Sequence, residues 1–450
     1  LAGLLAGCSS ITPAVVAVRD TLWGPSTPYL QGYVGIVVAD EPQAAIAGHD
    51  VLVRGGNAAD AAAAVGMSLA VTMPSRASLG SGGACVAYRP GSDAAPQSFE
   101  FLPRAGSAGG DRPAAVPMMA RGLYVMQMHY GTVDFGQTMI PALRLARGGA
   151  TVSSQLAADL AAVKDPLLVD EGMKATFTRA DGSVLQAGDT LLQRQLGETL
   201  ERLRNVGIGD LYNGAMAATL REGAESAGGG LTSADIRNAL PAQTGTISVA
   251  EGDITADFVA PPADGGIGMA AAFRAAANGT TANGVGQSAV AAWRAGGAQS
   301  SGIDAAQSFV SQAHSGGQLP NLPASTSFVV VDRQGGAVAC DLTMNNLFGT
   351  GRMAGSTGIV LGVAPGRHPA PLLPMAIARR GSHVTAVVAA SGQNDAADAA
   401  AAGLTRAIAG QGSPVMVGAG RVNAIACKGG DGGCVGSTDD RGSGLATPPN

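Results

Sequence analysis

The sequence predicts a mixed α/β protein in which short buried strands alternate with alanine-faced helices, and three observations carry that prediction. Short runs that read as strands recur at residues 35–40 (GIVVAD), 328–331 (FVVV) and 384–390 (VTAVVAA). Residues 58–72 and 395–409 are alanine-rich stretches of helical length, able to lie close against a sheet. Large rings are scarce, at 4% of the 450 residues, so the core has to be built from Ala, Val and Leu, and 67 glycines permit close backbone approaches.

In chain order, the strand at residues 35–40 leads into a helix over 43–54, closed by Gly55 and Gly56. Asn57 is placed to cap the next helix, with Asp60 three residues on. Residues 78–88 (SLGSGGACVAY) are a glycine turn feeding a strand. A phosphate cradle is the competing reading of that turn, but neither Gly-Lys-Ser/Thr nor a strand-first dinucleotide context accompanies it. Residues 155–227 alternate helical patterns with a DGSVLQAGD turn, residues 231–235 start a helix by hydroxyl capping, and residues 245–259 alternate as strands. Residues 270–323 are rich in Ala, Gly, Ser and Gln and lose periodicity after Trp293, so their last part reads as a mobile approach to the next element. That element is a β-hairpin: residues 328–331 and 337–340 are apolar runs around a turn cluster. Strands at 384–390 and 415–426 enclose the helix at 395–409, and no internal repeat or membrane-spanning run is present.

A net charge of -5 with a pI of about 5.5 leaves no electrostatic footprint for nucleic acid. His49, His129, His314, His368 and His383 are scattered without ligand spacing and no CxxC occurs, so neither a metal nor another cofactor is expected. No GxSxG elbow marks a Ser-His-Asp triad.

The hairpin carries the sharpest chemical signal. Ser325-Thr326-Ser327-Phe328 runs into VVVD, then x-x-G-x-AV, then T-x-N-x-x-FGTG-x-x-x-G-x-TGI. This resembles the maturation hairpin of the gamma-glutamyltransferases (gamma-glutamyltranspeptidases, glutathione hydrolases), which are N-terminal-nucleophile (Ntn) hydrolases. RGGNAADAAAAV at 54–65, SLGSGG at 78–83, Val116-Pro117, Tyr130-Gly131, Pro141-Ala142 with RGG at 147–149, and Pro261-Pro262 with Gly265-Gly266 follow in that family's order. The likeness covers most of residues 34–446. It implies a four-layer αββα Ntn-hydrolase sandwich, of the α+β kind, with one core shared by a large-subunit region at 32–324 and a small-subunit region at 325–450.

In the family a precursor cuts itself just before a Thr, and the freed Thr supplies both hydroxyl nucleophile and α-amine base. The resemblance places Ser325 at that position, Thr343 at the hydroxyl that holds it and Asn345 at a substrate contact. It puts Gln393 and Asn394 at an oxyanion pair, whose donors are backbone N–H groups that these residues keep. Ser in place of Thr frees one side-chain torsion, a cost of at most about 1 kcal/mol. Asp439 and Arg441 match a closing structural Asp-Pro-Arg. The family's substrate arginine falls at Leu102, two residues from Arg104, its paired serines at Leu373 and Pro374, and its ammonium-gripping acid near Arg367. A substrate charge buried without its partner costs about 3 to 5 kcal/mol, so the chemistry is expected to outlast γ-glutamyl recognition.

The expected reaction is attack by Ser325 on the carbonyl of a small-molecule amide or peptide, an acyl-Ser ester, and hydrolysis or transfer to an amine. Maturation is expected between Ala324 and Ser325, with Thr343 orienting the hydroxyl and a water as base, giving chains 8–324 and 325–450 that stay together. The alternatives are an inactive relative kept as a membrane-anchored binding or scaffold protein, and a hydrolase with a different constellation.

Residues 1–7 are apolar and small, and Leu5-Ala6-Gly7-Cys8 resembles the bacterial lipobox. That reading expects lipid on Cys8, residues 1–31 as signal remnant and tether, and export to the periplasmic side of a bacterial membrane, with Ser9 pointing to the outer membrane. Cys427 and Cys434 flank KGGDGG in a hairpin that places them opposite each other, and are expected to be bridged. Cys85 and Cys340 are expected to be buried and free.

Overall fold

The computed structural model describes residues 32–91, 95–279, 284–297, 302–312, 314, 317–366, 369–411, 417–428 and 433–449. Cys8, Arg367 and His368 lie outside the described residues.

Two antiparallel sheets carry the fold. Their strands are β1 (Gly35–Ala39), β2 (Gly82–Tyr88), β3 (Gln97–Phe101), β4 (Ala242–Thr244), β5 (Ile247–Glu251), β6 (Ile254–Phe258), β7 (Ser325–Asp332), β8 (Ala337–Thr343), β9 (Met375–Arg380), β10 (His383–Ser391), β11 (Arg421–Cys427), β12 (Cys434–Ser437) and β13 (Leu445–Ala446). The first sheet has the order β13-β1-β7-β8-β2-β3-β4 and the second β12-β11-β10-β9-β6-β5. The helices that matter for the site are α1 (Pro42–Val53), α2 (Ala58–Thr72), α3 (Ser154–Leu167), α4 (Gly265–Ala277) and α5 (Ala396–Ile408).

Side-chain alternation along each strand builds the layers. In β7, Val329 and Val331 face the second sheet, whereas Phe328 and Val330 pack with Val65 and Leu69 of α2. In β1, Ile36 and Val38 face inward between the sheets while Val37 and Ala39 face the helices. On the far side, Val388 and Ala390 of β10 meet Ile267 of α4 and Leu404 of α5. The result is helix, sheet, sheet, helix, an αββα sandwich. Residues before 325 contribute β1–β6 and residues from 325 onward contribute β7–β13, and both sheets draw on both regions.

Local chemistry fixes the helices. Asn57 and Asp60 form a reciprocal capping box at the start of α2, and Asp60 also accepts bonds from Gln127 and Thr132. Every residue of α2 is buried, and Gly48 lets α1 press on it: a Cβ there would sit 2.5 Å from a Val65 methyl.

The structure departs from the sequence reading in four places. Among the described residues of 270–323, α4 is followed by helices Val285–Ala295 and Ile303–Val310. The last was hidden because only Ala306 and Val310 of its eight residues are buried, too few to show a period. Of the strand expected over 415–426, residues 415 and 416 lie outside the described residues and the strand runs from Arg421, because Val417 and Gly420 form a tight bridge with Gly418 in the left-handed region. The approach to the hairpin is pinned: Leu319 and Leu322 are buried with Val290, Leu372, Ala396 and Ala397. Finally, Cys85 and Cys340 are joined as a disulfide, because β2 and β8 pair in a register that sets them directly opposite. Cys427 and Cys434, opposite each other on β11 and β12, form a second disulfide.

Glu41, only 1% exposed, caps α1 by accepting the Ala44 N–H at 2.9 Å. Burial pushes its carboxyl up to about 7, against the opposing pull of the bonds it accepts. Its protonated form therefore favours folding fully below its unfolded value of about 4.5, and that contribution is lost as pH rises through about 7, worth roughly 3 kcal/mol at most. Glu41→Gln keeps an acceptor for Ala44 and removes the charge. Thermal unfolding across pH 5 to 8 is expected to show a falling midpoint for the wild type and a flatter curve for E41Q; parallel curves contradict this.

Candidate active site

The layer between the sheets is apolar in its middle and polar at one end, and strand alternation alone produces this. The face of β7 that carries Val331 and Val329 continues to Ser327 and Ser325. The face of β8 that carries Ala337 and Ala339 continues to Asp341 and Thr343. Beyond Val38 on β1 comes Asp40, beyond Ala389 on β10 comes Ser391, and beside Ile425 on β11 lies Asn423.

Asp40 is the knot of this end. Its Oδ2 accepts from Thr326 Oγ1 at 3.2 Å, the Ser327 N–H at 2.9 Å and Ser391 Oγ at 3.0 Å, and its Oδ1 accepts from Asn423 Nδ2 at 2.7 Å. Asn423 Nδ2 also donates to the Ser327 carbonyl, and its Oδ1 accepts from Thr438. One carboxylate thus ties β1 and β7 of the first sheet to β10 and β11 of the second.

Ser325 opens β7, opposite Thr343 in the ladder, and is 1% exposed. Thr343 Oγ1 donates to the carbonyl of Ala324 at 3.0 Å and accepts the N–H of Asn345 at 3.0 Å. The hydroxyl that faces the nucleophile position therefore polarises the peptide bond preceding it. On the other side, Arg76 Nη1 donates to the Ser325 carbonyl at 3.0 Å. Arg76 is fixed by a two-pronged ion pair with Asp159 of α3, at 2.8 and 3.0 Å, and this partner holds its guanidinium above its ordinary value against burial. The bond between Ala324 and Ser325 is clamped on both flanks.

Asp341 adds a buried carboxyl to the same face. Burial pushes it well above the ordinary carboxylate range, and the neighbouring Asp40 charge pushes the same way. The Ser325 side chain lies close enough to Asp341 to oppose that shift, yet Ser325 Oγ and both Asp341 oxygens lack a hydrogen bond of ordinary geometry. Asn345 is held in the left-handed region, φ 58°, with its Nδ2 donating to the Val363 carbonyl and its Oδ1 buried without a partner. Buried polar groups without a bond of ordinary geometry are costly, and three of them gather here.

The remaining expected residues are placed less uniformly. Asn394 sits just past the Ser391 end of β10 and grips the approach to the hairpin: Nδ2 donates to the carbonyls of Leu319 and Pro320, and Oδ1 accepts the Leu322 N–H at 3.0 Å. Gln393 is exposed beside Gly392, with φ 60°. Leu373 is fully buried in the inter-sheet layer, and the Pro374 carbonyl accepts the Ala390 N–H, so both form an apolar wall at the polar end. Arg104 is exposed on a two-residue strand paired with Val116, and its charge acts on Glu100; no hydrogen bond ties it to Ser325, Thr343 or Asn345. Asp439 pairs with Arg441 at 2.6 Å, and Arg441 reaches the carbonyl of Gly418, a structural clasp. Among the described residues no His, Cys, Asp or Glu cluster could hold a metal ion.

Asp40, Arg76, Asp159 and Asp341 escaped the sequence reading. Asp341 had a signal: an acid inside the apolar run AVACDLT, on the inward-facing parity of a strand buried along its whole length.

Comparison with known proteins places this geometry. A family model described as Gamma-glutamyltranspeptidase matches residues 44–295. The glutathione hydrolase proenzyme of Escherichia coli (strain K12) is 28% identical over 402 residues, 78% of this chain and 68% of that protein. Glutathione hydrolase 3 of Arabidopsis thaliana is 30% identical over 249 residues, 52% of this chain but only 39% of the plant protein's length. In three dimensions the chain is similar to cephalosporin acylase from Bacillus halodurans, with a TM-score of 0.71, 18% identity and coverage of 94% of this chain and 98% of that one. A shared αββα core and a matching family model over more than half its length show that the chain belongs to the gamma-glutamyltranspeptidase family.

Proposed function

We propose that the chain is a self-maturing Ntn amidohydrolase or acyltransferase whose nucleophile is Ser325. The observation that carries this is the bond from Thr343 Oγ1 to the Ala324 carbonyl, 3.0 Å long, made beside a buried and unpaired Ser325 hydroxyl. A hydroxyl donor on that oxygen stabilises charge as it develops there when Ser325 Oγ attacks. The carbon–nitrogen bond then breaks, leaving an ester between Ala324 and Ser325 that water hydrolyses, and Ser325 gains the α-amine it needs as a base.

Residues 319–322 occupy Asn394 before the cut, so their departure would free Asn394 for substrate beside the already exposed Gln393. The segment is held by two buried leucines and by hydrogen bonds to the side chains of Asn394 and Gln287, while the flanking Pro323 and Ala324 are only half-buried. Mature Ser325 would attack an amide carbonyl, form an acyl-Ser ester and pass the acyl group to water or an amine. Leu373 and Pro374 make the pocket wall apolar and favour a neutral or dicarboxylic acyl group over one carrying an α-ammonium. The two disulfides support an oxidising compartment, in line with export and a lipid on Cys8.

The disulfide between Cys85 and Cys340 spans the proposed cut, one cysteine on each side. Wild-type protein is therefore expected to run as one band without reductant and as two with it. Ser325→Ala should give one band in both lanes with an unchanged circular dichroism spectrum, Thr343→Val should cut roughly a hundredfold more slowly, and Thr326→Ala should still cut. One wild-type band under reduction would instead support a scaffold role.

A further prediction concerns the substrate: a γ-glutamyl anilide should be turned over poorly by purified mature protein, and efficient turnover refutes the apolar-wall argument. Cys8→Ser should move the protein from the membrane to the soluble fraction, and wild-type protein found there without lipid removes the anchor.

A further inference from the structure

The proposed maturation step needs a group to take the proton from Ser325 Oγ, because before the cut Ser325 has no free α-amine. Asp341 occupies the place for it. It is fully buried on the inward face of β8, opposite Ser327 and two ladder positions from the Ser325–Thr343 pair, and neither of its oxygens has a hydrogen bond of ordinary geometry although the Ser325 side chain lies close enough to act on it. Among the described residues no ion pair holds its carboxyl, and only the Ser325 side chain and the Leu342 N–H pull on it, whereas Asp40, the other inward acid, accepts from four donors. A buried carboxyl with so little hydrogen bonding is destabilising, and the hydroxyl beside it is the one proposed to react.

We propose that Asp341 is the general base of self-cleavage, a catalytic residue in direct reach of the Ser325 hydroxyl, taking the role otherwise left to a water. The Asp341 carboxylate accepts the Ser325 Oγ proton as Oγ bonds to the Ala324 carbonyl carbon. The resulting oxyanion is held by Thr343 Oγ1. As the carbon–nitrogen bond breaks, the proton passes from Asp341 to the departing Ser325 nitrogen, so the carboxylate is regenerated and the products are an ester and an α-amine. Water then hydrolyses the ester. The inference rests on the self-cleavage reading and deepens it.

The charged groups around Asp341 set the pH dependence. Asp40 faces it from β1, while Arg76, paired with Asp159, bonds the Ser325 carbonyl on the far flank; Ser327, Ser391 and Asn423 are polar but uncharged. Burial and Asp40 favour the protonated form, so the base form appears only above the ordinary carboxylate range. Cleavage should thus accelerate with rising pH and stall as pH falls through the raised value.

The test follows full-length chains through pulse-labelled expression and refolding, read on reducing gels. Wild type is expected to cut, faster at pH 8 than at pH 5. Asp341→Asn, which keeps shape and cannot take up the Ser325 proton, should fold with an equal or higher thermal midpoint, cut roughly a hundredfold more slowly and lose the rise with pH. Wild-type cutting with D341N equally fast overturns the role of Asp341 alone. If D341N fails to fold, the wild-type profile decides, and a rate flat from pH 4 to 8 overturns it. A wild-type chain that never cuts overturns this inference together with the reading beneath it, whereas an uncut Ser325→Ala beside a cutting wild type leaves the underlying reading standing.

Discussion

The Asp40 carboxylate, accepting four hydrogen bonds from two sheets, is the interaction on which the polar end of the sandwich depends. Sheets packed through valine and alanine can slide by small amounts at little cost, since dispersion contacts are individually weak and undirected. A half-buried carboxylate holding four directed donors resists sliding, because a shift that breaks those bonds leaves donors of both sheets without their acceptor. Asp40 therefore fixes how β7 lies against β10 and β11, and with it where Ser325 begins. Everything chemical at the site is measured from that fixed point. Thr343 reaches the Ala324 carbonyl because β8 is in register with β7, and β8 is in turn locked to β2 by the Cys85–Cys340 bridge.

The same carboxylate shapes the electrostatics. Its charge reinforces burial in pushing the Asp341 carboxyl up. Four donors converge on Asp40, whereas on Asp341 only the Ser325 side chain and the Leu342 N–H oppose the upward push of burial. Arg76 and Asp159 balance the opposite flank, holding the Ser325 carbonyl while the bond before it is polarised.

Much of the fold was legible because it is local. The capping box at Asn57 and Asp60, the hairpin around residues 332–336 and the alternation of residues 245–259 each declare themselves within a few positions. Ser325 and Thr343 were reachable only through the resemblance of the hairpin to a known family, since a short run of hydroxyl residues before a valine strand has no chemistry of its own. What stayed hidden depends on register between distant segments. Cys85 and Cys340 are 255 residues apart and meet only once β2 and β8 pair. Asp40 and Asn423 meet only once the sheets stack. Asn394 carried a family role, but its grip on residues 319–322 follows from the path of a segment with no periodic signal.

The central claim is that Ser325 becomes a free N-terminal nucleophile. Intact mass spectrometry of reduced wild-type protein, with N-terminal sequencing of the smaller species, tests it most directly. The account predicts two species, the smaller beginning at Ser325; a single unbroken chain after prolonged incubation would contradict it.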